Sequence, residues 1–511
     1  MQHRVETTSA LSEAARETAR AGAGRDRLAT WAPWLALGAL VAGLCAWRLA
    51  CVRVGPDPDT DAYGHYVIAQ QLLETPWNFK IHWVWLPLYH VLVAAAVSLG
   101  AGLDQVRGAN AIAAAGPALL LFWALARKAR GEPLERGVAG VAALLTALSP
   151  LLMQLGTTGQ MEIVFCLLLV AAVTLLAEQR FGAAALALSA LVLTRYEGWA
   201  VAAVVTAELA RQRWRERRGP GAGEWACLLA PALCVCGWAA LRRLGGEPWF
   251  GFITDNQAFA ERVIERVPND HDVLRALGRY TLEVPFRSFG LALPLVLLGM
   301  ARAWRRAGAW FVVPGLGIVA FLTLSSISRS QLGLDRHFLS VVPFAATWLA
   351  HGLALASEWL VARRWLPGAP RRGLTFATLS ACVATGAALR LGSSSSGWWE
   401  LTRTALAEPR AVAEFLRGTP ESSLIFCDEA AVEVLSGLDR SRFVRAHLDE
   451  RAAALVAEST RSRDVYVVNR ARRLGAFLHA GPASYGAIDG PLDAFVAIHV
   501  RTGALRAGLD R

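Results

Sequence analysis

The sequence predicts an α-helical polytopic membrane protein of about eleven transmembrane helices, closed by a small C-terminal α/β domain. Three observations carry that reading. Of the 511 residues, 54% are hydrophobic and only 18% charged, against about a quarter charged in soluble globular chains. Uncharged apolar runs recur along the chain, several of them near the ~20 residues that a bilayer crossing takes. From residue 393 onward the pattern switches to short β-type runs alternating with helical ones, as in a small α/β unit.

Taken in order, the candidate crossings are 31–50, 108–126, 138–155, 163–179, 182–194, 198–210, 225–243, 285–301, 309–327, 338–357 and 374–391. The run 86–102 is short and carries Pro87 and His90. Read as re-entrant or interfacial, it lets every basic cluster share one side: the N-terminal tail, 127–136, 211–218, 302–306 and 363–372. Basic clusters favour the cytoplasm. The chain then divides into a cytoplasmic tail (1–30), a transmembrane domain (31–392) with a first outer loop at 51–107, and an extracytoplasmic domain (393–511). The expected location is the inner, or plasma, membrane, crossed many times. No cleavable signal is expected, because residues 1–30 are polar and no small-residue cleavage site follows the first apolar run.

The net charge of +11 does not imply a nucleic-acid partner. Fifty of the 52 basic residues are arginines clustered between apolar runs, where orientation signals belong. Most of the eight cysteines lie in apolar runs and none forms a CxxC pair, so no metal site is predicted. In the tail, Ser393–Ser396 reads as a linker and Trp398-Trp399 as a membrane–water boundary pair. Helices are expected over 407–417, 429–436, 448–459 and 471–478. Strands are expected over 423–427, 442–445, 464–468 and 494–500, in a mostly parallel sheet. The absence of a Gly-rich phosphate loop argues against a nucleotide site there.

Chemistry concentrates in the first outer loop. Asp57, Asp59 and Asp61 alternate just past the first span, followed by Tyr63, His65, His82, Trp83, Trp85, Tyr89 and His90. A carboxylate at the water–lipid boundary suits a general base that activates a hydroxyl; solvated loop acids are the plainer alternative. Asp57 stands between Pro56 and Pro58, a turn position expected to be dispensable.

The order acid-Ala-Tyr at the end of the first span, then aromatic-Pro-Leu-Tyr about 25 residues on, resembles the first extracytoplasmic loop of the glycosyltransferase C superfamily. The nearest branch holds the dolichyl-phosphate-mannose–protein mannosyltransferases and the lipid A aminoarabinose transferases. Arg107, Thr157–Glu162, Thr194–Gly198 and Asp335–Phe338 follow in the matching order, so the resemblance runs from residue 31 to about 357. It implies transfer of a sugar from a polyprenyl-phosphate donor to a lipid, glycan or protein acceptor, with Asp61 as general base. Many relatives carry an adjacent Asp-Glu pair where this chain has Thr60-Asp61, so Asp59 remains the alternative base.

A leaving lipid phosphate calls for arginine, which is always charged and bidentate. Arg107, Arg195, Arg329 and Arg336 all fall at outer ends of spans, where snorkelling to headgroups is the competing role. Glu162 is an acceptor or metal contact by resemblance, or a helix N-terminal acid favoured by the dipole. Glu197 beside Arg195 reads as its ion-pair partner. His337, Tyr63, His82 and Tyr89 complete the candidate substrate contacts. Whether a divalent metal takes part is left open: no histidine pair has helical ligand spacing, and interfacial or sugar contacts suit these histidines. The long polar loop 244–284 is expected to cover the site. Trp83 and Trp85 are exempted from a general anchoring role because their loop flanks it. The rival reading is a transporter or flippase of lipid-linked saccharides; that class places ionisable groups near the midplane, whereas here they gather at the outer edge.

Overall fold

The structure, a computed structural model, describes residues 34–129, 131–264, 277–328, 330, 334–363, 369–404, 406–427, 429–444, 465–470 and 495–500. Helices dominate. The first, α1 (Trp34–Val54), leads into the loop 51–107 with α2 (Thr60–Glu74), a 3₁₀ turn (Phe79–His82) and α3 (Pro87–Ser98). Asp59 caps α2, its side chain accepting from the Asp61 amide, the standard way to satisfy a free helix N–H. Proline at the first turn starts α3, where its missing N–H costs nothing. At 12 residues α3 is about 18 Å long, short of the ~30 Å apolar core of a bilayer.

Six helical stretches among the described residues are long and apolar enough to cross: Trp34–Val54, Leu103–Lys128, Ala222–Leu244, Arg279–Arg306, Ala309–Ile327 and one within Arg372–Arg417. Helices α4 (Leu103–Ala113) and α5 (Gly116–Lys128) make up the second of these. Next come α6 (Pro133–Ala147), α7 (Pro150–Leu155), α8 (Glu162–Ala177), α9 (Phe181–Val192), α10 (Glu197–Glu216), α11 (Ala222–Leu244) and α12 (Gly251–Ile264). Then follow α13 (Val284–Phe289), α14 (Leu293–Arg306), α15 (Val313–Ile327) and α16 (Val342–Ala362). Helix α16 is the hub, buried along most of its length. It meets α14 through Gly299 and Gly352, where an added Cβ would strike the Trp348 and Leu295 carbonyls of the facing helix.

The predicted Ser393–Ser396 linker is not one. It lies inside a single helix, α17 (Ala369–Thr404). The serine hydroxyls of Ser393, Ser395 and Ser396 bond back to carbonyls three residues earlier, and tertiary bonds hold the segment: Gln154 Nε2 to Ser394 Oγ at 2.7 Å and Trp398 Nε1 to Thr157 Oγ1 at 2.8 Å. Packing here overrides weak helix propensity. Trp398 thus ties α17 to the loop that carries Thr157.

Beyond it, α18 (Ala407–Arg417) and α19 (Ala430–Ser436) flank β1 (Leu424–Cys427), β2 (Phe443–Val444), β3 (Val465–Arg470) and β4 (Phe495–Val500) in the order β2-β1-β3-β4. Strand β1 runs parallel to β2 and β3, and β4 runs antiparallel to β3. The sheet is therefore mostly parallel, as expected. The helices expected at 448–459 and 471–478 lie outside the described residues. This domain braces the outer loop: Ala430 and Ala431 of α19 pack on Tyr63 and Val67 of α2, and Arg440 pairs with Glu74 at 3.1 Å.

Candidate active site

A cavity of about 300 Å³ opens between the outer loop, α12 and the 3₁₀ turn Asp335–Ser340. Asp59, Asp61, Arg195, Glu197, Arg336 and His337 line it, together with the aromatic residues Trp83, Trp85 and Phe259. Asn256 and Phe259 come from α12, so the long polar loop contributes to this wall. Arg336 donates to Asp59 Oδ2 at 2.7 Å and to Asp61 Oδ2, and its Nε lies 3.4 Å from Glu162. Arg195 is held by Glu162 at 2.7 Å and by Glu197 at 2.9 Å. Residues 275 positions apart thus form one ion-pair network.

The two candidate bases differ. Asp59 has both oxygens engaged, one capping α2 and one on Arg336. Burial, reinforced by the negative charge of Asp61 and opposed by Arg336, holds its carboxyl above the ordinary range. Asp61 gives Oδ2 to Arg336, and among the described residues its Oδ1 carries no hydrogen bond. It is also the more exposed of the two.

Four expected substrate contacts stand apart from the cavity. Arg107 is fully buried. Its Nε donates to Thr157 O at 3.0 Å and its Nη1 to Gly55 O at 2.8 Å and Asp104 at 2.9 Å, with Asp57 3.6 Å away. Tyr63 bonds the Asp57 carbonyl and Tyr89 the Gly159 carbonyl, at 3.3 and 2.7 Å. His82 lies in a buried chain of imidazoles, His82 Nδ1 to His90 Nδ1 at 2.7 Å and His90 Nε2 to His65 Nδ1 at 2.9 Å. These histidines are enclosed rather than interfacial. Arg329 and His271 lie outside the described residues.

Two residues not expected to contribute matter here: Asp57, read as a turn position, and Asn110, which the sequence did not single out. Asp57, expected to be dispensable, is wholly buried and accepts from the amides of Asp59 at 3.0 Å and Gly159 at 2.6 Å. Burial pushes its carboxyl up to about 7, against the pull of Arg107 and both amides. Asn110 donates to Thr158 O and Gln160 O, both at 2.8 Å. With Arg107 and Tyr89 they pin the 156–161 loop and so place Glu162 at the head of α8. Among the described residues no group of three or more His, Cys, Asp or Glu is placed to hold a metal ion.

A second cleft of about 710 Å³ lies alongside, with apolar walls from Leu145, Leu148, Val342, Leu349 and Val383 and a polar end at Arg287, Asp335 and Arg390. Asp335, held by Arg279 and Arg287 at 3.1 Å each, separates it from Arg336 by one peptide bond.

The helical bundle, the 51–107 loop and the C-terminal α/β unit together make a polytopic membrane fold that is shared with solved structures. The chain is similar to the solved structure of ArnT from Cupriavidus metallidurans bound to undecaprenyl phosphate, with a TM-score of 0.58 over 91% of this chain and 98% of that one, at 14% identity. Against ArnT in the apo state the TM-score is 0.53 over 92% and 98%, at 15% identity. No family model matches the chain, and no curated protein matches it as a relative.

Proposed function

We propose that this protein transfers a sugar from a polyprenyl-phosphate donor to an acceptor hydroxyl on the extracytoplasmic face of the inner membrane. The observation that carries the reading is Asp61, a cavity-lining acid bound through Oδ2 to Arg336, with Arg195 lining the same cavity. Asp61 takes the acceptor proton as the oxygen attacks the anomeric carbon, and polyprenyl phosphate leaves in the same step with inversion. Arg336 bridges the two events: as charge grows on the phosphate, its fork turns from the carboxylates toward the leaving group, and Asp61 becomes free to keep the proton. The adjoining apolar cleft has the size and lining for the isoprenoid chain. ArnT, similar in fold, was solved with undecaprenyl phosphate bound. That supports the donor class.

Transfer in vitro from a polyprenyl-phosphate sugar, with the donor named by the lipid that accumulates in a deletion strain, tests this. Asp61→Asn keeps the side chain's shape but cannot hold the proton, and turnover is expected to fall about a hundredfold or more. Full activity in that variant overturns the assignment. Movement of the lipid-linked sugar across vesicles without transfer would install the flippase reading instead.

A further inference from the structure

The buried imidazole chain has no place in the chemistry above, yet it begins one helical turn from the proposed base. His65 is four residues after Asp61 on α2, a spacing that stacks side chains on one helix face. Its Nδ1 meets His90, while its Nε2 is buried with no hydrogen-bond partner. An orphaned ring nitrogen costs free energy unless something reaches it during function. The charged groups that act on His65 are Asp61, Glu162, Arg336 and Arg195, all members of the site network. At the other end, His82 closes a turn whose Asn78 and Lys80 are exposed to solvent.

We propose that His65, His90 and His82 form a relay that carries the acceptor's proton from Asp61 away to solvent while products still fill the cavity. The inference rests on Asp61 being the base. The steps balance. Asp61, protonated by the acceptor, passes its proton to His65 Nε2. The His65 Nδ1 proton moves to His90 Nε2, the His90 Nδ1 proton moves to His82 Nδ1, and His82 Nε2 releases one to water. One proton enters, one leaves, and each ring ends neutral in its other tautomer.

Neutral rings are what such a chain requires, since each must both donate and accept. Burial holds His65 at about 4 and His82 at about 3, in His82 with help from Arg242. A shared metal does not explain the cluster: His90 offers Nε2 to one neighbour and Nδ1 to the other, so no single ion joins all three rings. The relay has a distinct kinetic purpose. While the proton stays on Asp61, the departing polyprenyl phosphate can attack the new glycoside and the acid can return its proton, reversing the transfer. Draining the proton commits the reaction.

The test supplies labelled polyprenyl phosphate during forward turnover and counts label returned to the lipid-linked sugar per sugar transferred. His65→Gln, His90→Gln and His82→Gln each break proton hopping while keeping a polar side chain. Each is expected to raise that return ratio about tenfold, with KM for the donor within about twofold. Mere structural damage lowers exchange and net transfer together and leaves the ratio unmoved. A wild-type ratio in all three variants overturns the relay. If the variants fail to fold, the wild type decides: several protons in flight make turnover in H₂O/D₂O mixtures fall along a curve, whereas a straight line or no isotope effect overturns it. Asp61→Asn abolishes transfer and exchange alike; unimpaired activity there sinks the base assignment and not the histidine geometry.

Discussion

Arg107 and Arg336 lie at the same end of the bundle, and both neighbour aspartates of the first outer loop. Arg107 is enclosed and spends its donors mainly on backbone carbonyls of residues 55 and 157, with Asp57 sealed beneath it. Arg336 is about one-fifth exposed, faces a cavity, and is held wholly by carboxylates. Carbonyls fixed in a loop cannot be exchanged for a ligand without unfolding that loop. Carboxylates at a cavity wall can release a guanidinium to an incoming phosphate. The partner's type, more than the arginine's burial, separates an arginine locked into the scaffold from one that a ligand could claim.

That contrast can be broken experimentally. The largest effect is expected at Asp57: Asp57→Ala leaves the Asp59 and Gly159 amides without their acceptor, and each buried unsatisfied group costs about 1–3 kcal/mol. Melting in detergent should fall sharply; an unshifted melting temperature would place Asp57 and Arg107 outside the scaffold. Arg336→Lys and Arg195→Lys should leave melting nearly unchanged and reduce transfer roughly tenfold to a hundredfold, the ~1.5–3 kcal/mol of a charged hydrogen bond. Wild-type turnover in both would make these arginines structural too. The smallest effect concerns the histidines. Their folded-state values lie below the ordinary 6.5, so the unfolded chain binds protons first as pH falls. Their contribution to stability is present above about 6.5 and is lost as pH drops toward about 4 for His65 and about 3 for His82. Melting of His82→Gln across that range should be flatter than wild type.

Much of this was legible in the sequence, for reasons that can be named. The apolar runs, the basic clusters and the β-type tail carry the fold because hydrophobic length and periodicity are local properties. Asp59, Asp61, Glu162, Arg195, Glu197 and Arg336 were each visible as charges at the edge of a span, and the structure gathers them in one network. The burial of Asp57 is not legible locally because Arg107 and the Gly159 amide are distant in sequence, and no local pattern announces a carboxylate that will accept backbone N–H groups. The imidazole chain was hidden for the same reason: spacings of 8 and 25 residues match no helical ligand motif. The linker was misread because serine runs are usually loops, and only contacts from Gln154 and Thr157 make this one a helix.

Helix α17 has a consequence for height. From Gly392 to Thr404 the helix continues past its apolar stretch by 13 residues, about 20 Å at 1.5 Å per residue. Gly55 at the foot of the acidic loop presses against the Thr402 carbonyl, and Thr157 hangs on Trp398. A helix is a stiff ruler, so the distance of the acids from the apolar part of α17 is fixed by a count of residues rather than by the slack of a loop. Removing or adding a single residue between Gly392 and Trp398 would turn the later contacts by about 100° and shift them by about 1.5 Å, detuning the site from outside it.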